Sequence, residues 1–292
     1  MSVSASDVKE LRQRTSAGMM DCKEALEATD GDLEEAIEYL RKEGLSEAEK
    51  KAGRTASEGM VLIKEEGSTA AMIEINSETD FAAKNDKFQD LANQIAEHIL
   101  ESDPKDVEAA LEQELEEGRL LKEAIKETIA QIGENISLRR FIKVEKKAGE
   151  ILATYTHMGG NIGVIIRLAD GEEELAKDLA MHVAATNPDY LSREDVPQKD
   201  VEKERELLRE QALKEEDKPE HIIDQIVEGR LDKFYNQNCL LEQEYVKDTD
   251  LTVQELLDEQ EAKIEDFVRY EVGEGIEVEE EDFAEEVKKE IE

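Results

Sequence analysis

Residues 71–88 read AMIEINSETDFAAKNDKF, and the rest of the chain is organised around them. Residues 71–75 alternate like a strand, and the residues from Phe88 to Ile99 have the apolar spacing of a helix. The polar loop between them carries one large apolar side chain, Phe81, directly after Asp80. Because an exposed ring gains nothing from water, two interpretations are open: Phe81 covers its own core, or it inserts into a partner's pocket.

Length and charge set the first limits. The 292 residues are enough for two or three domains. There are 37 basic and 76 acidic residues, which give a formal net charge of -39. Binding of a phosphate backbone needs clustered Lys and Arg, so we expect no direct nucleic-acid contact and no anionic membrane surface. The acidic residues are spread over the whole chain, which indicates a solvated surface suited to a high-salt cytoplasm.

The two cysteines point to a reducing compartment. Cys22 and Cys239 each lie in an apolar helical pattern, without a pairing motif or metal-ligand spacing, so we interpret both as reduced core residues. No N-terminal apolar run resembles a signal peptide, and no stretch approaches the ~18 apolar residues of a membrane span. The expectation is a soluble, cytoplasmic protein.

No pattern in the sequence offers catalysis. The four histidines are scattered, and none lies beside a cysteine or in an HExxH motif: His98, His157, His182 and His221. Nucleophile-elbow, phosphate-loop and dinucleotide motifs are absent, and carboxylate pairs carry no information at this acid content. Aromatic residues make up 4% of the chain and Trp is missing, which leaves little for stacking ligands. We expect a macromolecular binder that is not an enzyme and needs no metal or cofactor.

Residues 1–54 have the pattern of three short helices. Ser6 is a candidate cap of the first helix, Asp30 of the third, and Gly44 is a candidate stop. Three short helices around few apolar residues are typical of a ubiquitin-associated (UBA)-like module. The loop pair Met19–Met20 either fills this small core or, because Met adapts to different surfaces, contacts a partner.

A hairpin followed by a helix occurs twice, with Gly59 and Gly149 at equivalent positions about ninety residues apart. The pattern predicts two related α/β halves of one domain, residues 55–147 and residues 148–197 with 237–275. The copies differ at their tips. The first has Thr79-Asp80-Phe81 after its second strand, and the second has His157-Met158-Gly159-Gly160 before its second strand.

The segment that completes the first half is highly charged. Two helices, split near Gly118, are predicted between Pro104 and Gly133, with six apolar residues on their inward face. A further strand is predicted at 136–144.

Residues 198–236 break the α/β pattern. Apolar residues at roughly heptad spacing lie on both sides of Lys218-Pro219, which predicts an inserted antiparallel coiled coil. Its apolar positions are Val201, Leu207, Leu208, Ala212, Leu213, Ile222, Ile223, Ile226, Val227 and Leu231. After a last strand at 267–272, glycines precede an amphipathic C-terminal helix, 276–292, whose apolar face includes Phe283. A terminal helix of this kind either packs on its own domain or docks on a partner, and the glycines favour the partner.

Several long motifs carry a family resemblance. They are LR at 11–12, TSAGMMDCKEAL at 15–26, TDF at 79–81, HMGGNIG at 157–163, HVAA at 182–185, CLLEQ at 239–243 and EVGEGIE at 271–277. In this order the chain resembles, from end to end, the bacterial elongation factor Ts family, the nucleotide-exchange factors of elongation factor Tu. The resemblance implies an α+β fold with an N-terminal UBA-like module, a duplicated core, a coiled-coil insert and a C-terminal helical module.

The resemblance also implies roles for individual residues. Asp80, Phe81, Ala82 and Ala83 form the segment that displaces the magnesium ion of the partner, with Phe81 as the inserted ring. Further implied partner contacts are Arg12, Met19, Met20, Thr79, His157, Gly159, Gly160 and Phe283. The implied partner is elongation factor Tu, in its GDP-bound and nucleotide-free states, and the implied function is promotion of GDP release during translation elongation.

Three other functions remain open from the sequence. The first is a UBA-type adaptor that binds through residues 1–53 alone. The second is an acid-rich enzyme with carboxylate catalysis. The third is a chaperone-like stabiliser that binds its partner without exchange activity.

Overall fold

The computed structural model describes residues 3–15, 17–116, 118–215 and 218–277. In these ranges the chain is a mixed α and β protein, in which helices pack on small antiparallel sheets. None of the helices described has a stretch long and apolar enough to cross a membrane. Only residues 276 and 277 of the expected C-terminal helix are described, so Phe283 lies outside the described residues.

Three helices form at the N-terminus, as the apolar spacing predicts: α1 (Ala5–Thr15), α2 (Met19–Ala28) and α3 (Leu33–Lys51). Their shared core is small, because each helix contributes only one or a few apolar side chains to it. The fully buried members are Leu11, Cys22, Ala25, Leu26 and Ala36.

The caps of these helices differ from the prediction. Asp32, not Asp30, caps α3, since its carboxylate accepts hydrogen bonds from the N–H groups of Glu34 and Glu35, both at 2.9 Å. Asp30 lies in the preceding turn with a φ of 52°.

The prediction that Ser6 caps α1 is also wrong. Ser6 is a residue of α1 itself. The capping contacts belong to Ser4, whose hydroxyl accepts from the N–H of Asp7 and whose N–H donates to the Asp7 carboxylate, both at 3.2 Å. Such reciprocal bonds satisfy donors that the first helical turn leaves without partners.

The predicted stop at Gly44 is wrong, because α3 continues to Lys51. Gly44 instead allows α3 to lie close to the helix that carries Ala130, since a Cβ at Gly44 would come within 2.8 Å of the Ala130 Cβ. Around this contact, Arg41 pairs with Glu123 at 3.0 Å. The N-terminal helices therefore rest directly on the core.

The first half of the core begins with β1 (Glu58–Glu66), β2 (Thr69–Ser77), a short α4 (Asp80–Ala83) and α5 (Asp86–Ser102). It continues with α6 (Val107–Leu111), β3 (Glu114–Glu116), β4 (Arg119–Leu120), α7 (Leu121–Ile132) and β5 (Ile136–Glu145). The sheet order is β1-β2-β5, and α5 and α7 cover one face.

The prediction of two charged helices before Gly133 is half wrong. Only the second, α7, forms at length. The first is replaced by α6 and the β3–β4 hairpin, whose turn holds Gly118 with a φ of 75°, a value that favours glycine.

The second half has β6 (Glu150–His157), β7 (Ile162–Ala169) and α8 (Glu173–Thr186), followed by a hairpin of α9 (Gln198–Glu215) and α10 (Glu220–Asn238). It ends with β8 (Glu244–Tyr245), β9 (Asp248–Thr252), α11 (Val253–Glu259) and β10 (Lys263–Glu271). Its sheet order, β6-β7-β10, matches the order of the first half. The two three-stranded sheets therefore share one strand order.

The repeat extends further than the sequence pattern indicated. The string LEQE occurs at 111–114 and again at 241–244, and a small hairpin and a helix follow it both times. In both copies the side-chain oxygen of the glutamine in this string accepts two hydrogen bonds from an earlier helix. One comes from a histidine and the other from a hydroxyl four residues after that histidine. The pairs are His98 and Ser102 on Gln113, at 2.8 and 3.0 Å, and His182 and Thr186 on Gln243, at 3.0 and 2.8 Å. Burial lowers the pKa of His182, although the hydrogen bond to Gln243 acts in the opposite direction and raises it.

Each copy carries its own insertion. Between β2 and α5 the first copy has residues 78–85, which include α4, whereas the second copy joins β7 to α8 with residues 170–172 alone. Before LEQE the second copy has the long hairpin α9–α10, where the first has only α6. The fold itself therefore requires neither insertion.

The inserted hairpin is antiparallel. Ion pairs cross it from Arg205 to Glu228 at 3.1 Å and from Glu215 to Arg230 at 2.6 Å. Its buried seam contains Leu208, Ala212, Ile223, Val227 and Leu231. Leu207 and Leu213 were predicted to face inward, but both are exposed, because each lies about 100° around the helix from a seam residue.

Both cysteines are buried and form no disulfide. Burial raises the pKa of the Cys22 thiol, and burial together with nearby Glu242 raises the pKa of Cys239 to about 11. The prediction that both are core residues is confirmed.

The two sheets face each other across a second apolar layer. Val61, Met72 and Ile165 are buried in it. Gly163 permits the close approach, since a Cβ there would lie 2.5 Å from a methyl carbon of Val61. The N–H of Val61 also donates to the carbonyl of Gly160 at 2.7 Å, which joins the two halves through the main chain.

A buried carboxylate, Glu74 on β2, makes the polar connection between the halves. It accepts from Arg139 at 2.8 Å, from Arg140 at 2.5 Å and from the N–H of Gly273 at 2.9 Å. The Arg140 guanidinium also lies 4.1 Å from the centre of the Tyr270 ring. Burial alone would raise the pKa of Glu74, but the hydrogen bonds from Arg139, Gly273 and Arg140 outweigh it and lower the pKa.

We expect Glu74→Gln to lower the free energy of unfolding by about 3 kcal/mol, because it leaves two arginines without their shared carboxylate. The matched control is Glu49→Gln, which breaks the exposed pair with Lys126 (2.8 Å) and should leave the stability almost unchanged, because solvent screens an exposed ion pair. Urea titration measures both. Equal effects of the two variants would contradict the assignment.

The same comparison has a defined pH dependence. Because the folded-state pKa of Glu74 is lowered, its contribution is complete above the pKa of the unfolded chain and is lost as the pH falls through the folded-state value. The difference between wild type and Glu74→Gln should therefore shrink in acid.

Candidate partner-binding surface

The loop after β2 presents an aromatic ring to solvent. Thr79 caps α4, with its hydroxyl accepting from the N–H of Ala82 at 3.2 Å. Phe81 is 79% exposed, whereas Ala82 and Ala83 are buried against the core. The interpretation that Phe81 covers its own core is wrong. Of the four residues Asp80–Ala83, Asp80 and Phe81 therefore point outward, and Ala82 and Ala83 pack against the core.

Lys84 contacts both outward residues of α4. Its ammonium lies 2.6 Å from the Asp80 carboxylate and 5.9 Å from the centre of the Phe81 ring. All three side chains are exposed, and an exposed ion pair contributes at most about 1 kcal/mol. A partner can therefore displace Lys84 at small energetic cost.

The base of the loop is fixed by the turn between α7 and β5. The Glu134 carboxylate accepts from the N–H of Thr79 at 2.9 Å and from its hydroxyl at 2.7 Å. In return, the Glu78 carboxylate accepts from the N–H of Asn135 at 2.6 Å. Sequence reasoning missed Glu134, because 55 residues separate it from Thr79 and one more glutamate carries no signal in so acidic a chain.

The second tip lies close to the first. A cleft of about 570 Å³ separates α4 from the turn between β6 and β7, and Asp80, Lys84, Met158 and Gly159 all border it. The structure thus brings together two tips that the sequence places almost eighty residues apart. Gly160 is buried beneath the second tip, with a φ of 112° and its carbonyl bonded to Val61.

The second tip also displays a large apolar side chain. Met158 is 75% exposed and has a φ of 48°, a left-handed conformation that is unfavourable for a side chain of this kind. His157 beside it is half-buried, with Nδ1 3.0 Å from the Tyr155 hydroxyl. Sequence reasoning did not select Met158, although its place between a strand end and two glycines was a usable signal.

The N-terminal helices add a third exposed group. Met19 is 59% exposed and Met20 is 71% exposed, so the interpretation that they fill the small core is wrong. Arg12 is exposed on α1 and borders a cavity of about 460 Å³ together with Lys9 and Lys87. Burial and the nearby charge of Arg12 lower the pKa of Lys87. A basic cluster therefore lies at the start of α5, directly after the Phe81 loop.

Within the described residues, no group of three or more His, Cys, Asp and Glu side chains could hold a metal ion. The side chains of His98 and His182 are instead engaged with glutamines in the repeated motif. The surface offers exposed apolar side chains on fixed backbone, an arrangement suited to binding another protein.

Two comparisons with known proteins give the same result. A family model described as Elongation factor TS matches residues 78–274. The Elongation factor Ts of Halothermothrix orenii (strain H 168) is 50% identical over 300 aligned residues, which cover 100% of this chain and 99% of that protein.

The exposure of Phe81 is testable by stability alone. We expect Phe81→Ala to change the free energy of unfolding by no more than about 0.5 kcal/mol, because the ring makes little contact with the protein. The matched control is Phe88→Ala on α5, where the ring is fully buried and the loss should be about 3–5 kcal/mol. A large loss for Phe81→Ala in urea or thermal denaturation would show that the ring covers its own core.

Proposed function

The chain belongs to the elongation factor Ts family, and from this premise we propose that it is a nucleotide-exchange factor that binds elongation factor Tu·GDP and promotes GDP release during translation elongation. The observation that supports the proposal most is the ring of Phe81, 79% exposed on a loop whose base is held by the rest of the core. The site of action is then the cytoplasm, where elongation takes place.

The proposed mechanism is a coupling free energy. A GTPase holds its nucleotide through a phosphate cradle and a magnesium ion. If the exchange factor binds best to the form in which that site is distorted, nucleotide binding must weaken by the same factor. Phe81 is the proposed wedge and Asp80 its polar neighbour, and neither has to touch the nucleotide. The displaced magnesium ion belongs to the partner.

The two buried residues of the segment Asp80–Ala83 have a supporting role in this proposal. Ala82 and Ala83 pack against the core, so their contribution is to fix the direction of Phe81. Thr79 is half-buried and bonded to Glu134, and it serves in the same way.

Two further surfaces complete the proposed interface. Arg12, Met19 and Met20 form an N-terminal contact, and their exposure supports this. The tip with His157 and Gly159 contacts another part of the partner, while Gly160 holds that tip on β1. We assign the C-terminal residues around Phe283 to the same partner on the basis of the family alone.

The domain organisation is part of the proposal. Residues 1–54 form a UBA-like module, 55–147 the first half of the core, and 148–197 with 237–275 the second half. Residues 198–236 form a coiled-coil insert and 276–292 a C-terminal helical module. The antiparallel α9–α10 hairpin and the matching sheet orders support these divisions. The acidic surface suits a salt-rich cytoplasm.

The experiment that tests the function measures GDP release from elongation factor Tu with and without the chain. We expect Phe81→Ala to slow the catalysed release at least about tenfold, because truncation of a central aromatic anchor costs about 2 kcal/mol or more. Leu213→Ala, which removes an exposed apolar side chain from the helical hairpin (57% exposed), should leave the rate unchanged. An unchanged rate for Phe81→Ala would exclude the wedge.

The GDP-release assay, together with a direct measurement of binding to the partner, separates the adaptor and the stabiliser from the exchange factor. A chaperone-like stabiliser would bind the partner without accelerating GDP release. A UBA-type adaptor would lose all binding when Met19 and Met20 are both changed to Ser, whereas the exchange function predicts weaker but measurable binding through the core tips.

A further inference from the structure

We propose that Glu134 is a positioning residue for nucleotide exchange, because its carboxylate sets the direction in which α4 presents Phe81. The inference rests on the proposed exchange function and extends it to a residue outside the exposed surface. Glu134 does not have to touch the partner. Its contacts are with Thr79, at the base of the loop.

A continuous set of hydrogen bonds leads from Glu134 to the wedge. Both carboxylate oxygens are used, one by the N–H of Thr79 at 2.9 Å and the other by its hydroxyl at 2.7 Å. The same hydroxyl accepts from the N–H of Ala82 at 3.2 Å. Charge-assisted bonds of this kind are shorter and stronger than neutral ones. Removal of the carboxylate therefore frees the backbone that directs Phe81.

A reciprocal bond prevents sliding of the loop against the turn. Glu78 accepts from the N–H of Asn135 at 2.6 Å, so each segment supplies one carboxylate and one backbone donor to the other. Arg54 lies 3.4 Å from Glu78 and offsets the charge of the adjacent carboxylates, and its carbonyl accepts from the Asn135 side chain at 2.8 Å. The loop is thereby held in one position.

The second half of the core shows that the fold does not need this arrangement. There, residues 260–262 form the equivalent turn between α11 and β10, and residues 170–172 form the equivalent loop. Within the part of the chain that the structure describes, no hydrogen bond joins these two segments. They meet through Gly171 and Ala262 instead, where a Cβ on Gly171 would lie 3.1 Å from the Ala262 Cβ. The equivalent turn also contains a glutamate, Glu261, but among the described residues a carboxylate of this turn bonds to the loop only in the copy that carries α4.

The first test compares Glu134→Ala with a matched control. Glu255 accepts from the N–H and hydroxyl of Thr252 at 2.8 and 3.0 Å, the same chemistry at the start of α11, far from the wedge in sequence. In the GDP-release assay we expect Glu134→Ala to lower the maximal rate about tenfold, with a smaller change in the concentration for half-maximal effect. Glu255→Ala should change neither.

Conservative variants separate positioning from a general loss of structure. Thr79→Ser keeps the hydroxyl and should retain the wild-type rate, whereas Thr79→Val removes it and should reproduce the loss seen for Glu134→Ala. If Glu134→Ala does not fold, this pair and Glu134→Gln, which keeps one acceptor oxygen and should give an intermediate rate, still decide the question. Equal rates for Thr79→Ser and Thr79→Val would overturn the proposal.

A double-mutant cycle with Phe81→Ala identifies the route of the effect. If Glu134 acts through the ring, Glu134→Ala should change the rate less than about twofold once the ring is gone. Fully additive losses would show that Glu134 acts elsewhere and would overturn the inference. Failure of the proposed function is distinguishable from this result, because the wild-type chain would then not accelerate GDP release at all.

Discussion

The carboxylate of Glu74 is the contact on which the arrangement of the core depends. It lies in the central strand of the first sheet, with Arg139 and Arg140 opposite it on β5 and the Gly273 N–H above it from the second half. Removing a charge from water is costly, so a buried carboxylate persists only where several donors converge on it. Donors from both halves meet that condition and fix the relative position of the halves.

The same contact determines where the exposed loop begins. The two arginines pair with Glu74 across β5 and β2, and beyond a β-bulge between Glu74 and Ile75 the pairing places Ile136 opposite Ser77. The turn that precedes Ile136 is therefore held beside the residues that follow Ser77, which brings Glu134 within hydrogen-bond distance of Thr79. An ion pair inside the sheet thus fixes a loop at its edge. Burial of one face of the sheet specifies this register, and the register keeps the base of the exposed loop beside the turn that holds it.

What the sequence predicts well is local. Period-two and helical spacing located the strands of both sheets, the long helices and the repeat, because burial of one face imposes that spacing. What it missed depends on contacts between distant residues. The local sequence indicates a helix stop at Gly44, because the residue that requires a glycine there, Ala130, lies 86 positions away. The LEQE repeat was obscured by the α9–α10 insertion. For the candidate surface, the motifs identified Phe81 and the His157 tip, but only the structure showed that Ala82 and Ala83 face inward and that Glu134 holds Thr79.

The burial of both cysteines has a practical consequence. The thiolate is the reactive form of cysteine, and in Cys22 and Cys239 burial both suppresses this form and blocks access to it. The native chain therefore presents no competing thiol to a maleimide reagent in the folded state. A single cysteine introduced at an exposed tip, such as position 158, should accept a fluorophore selectively. That dye would report encounters with a partner in real time without any change to the native thiols.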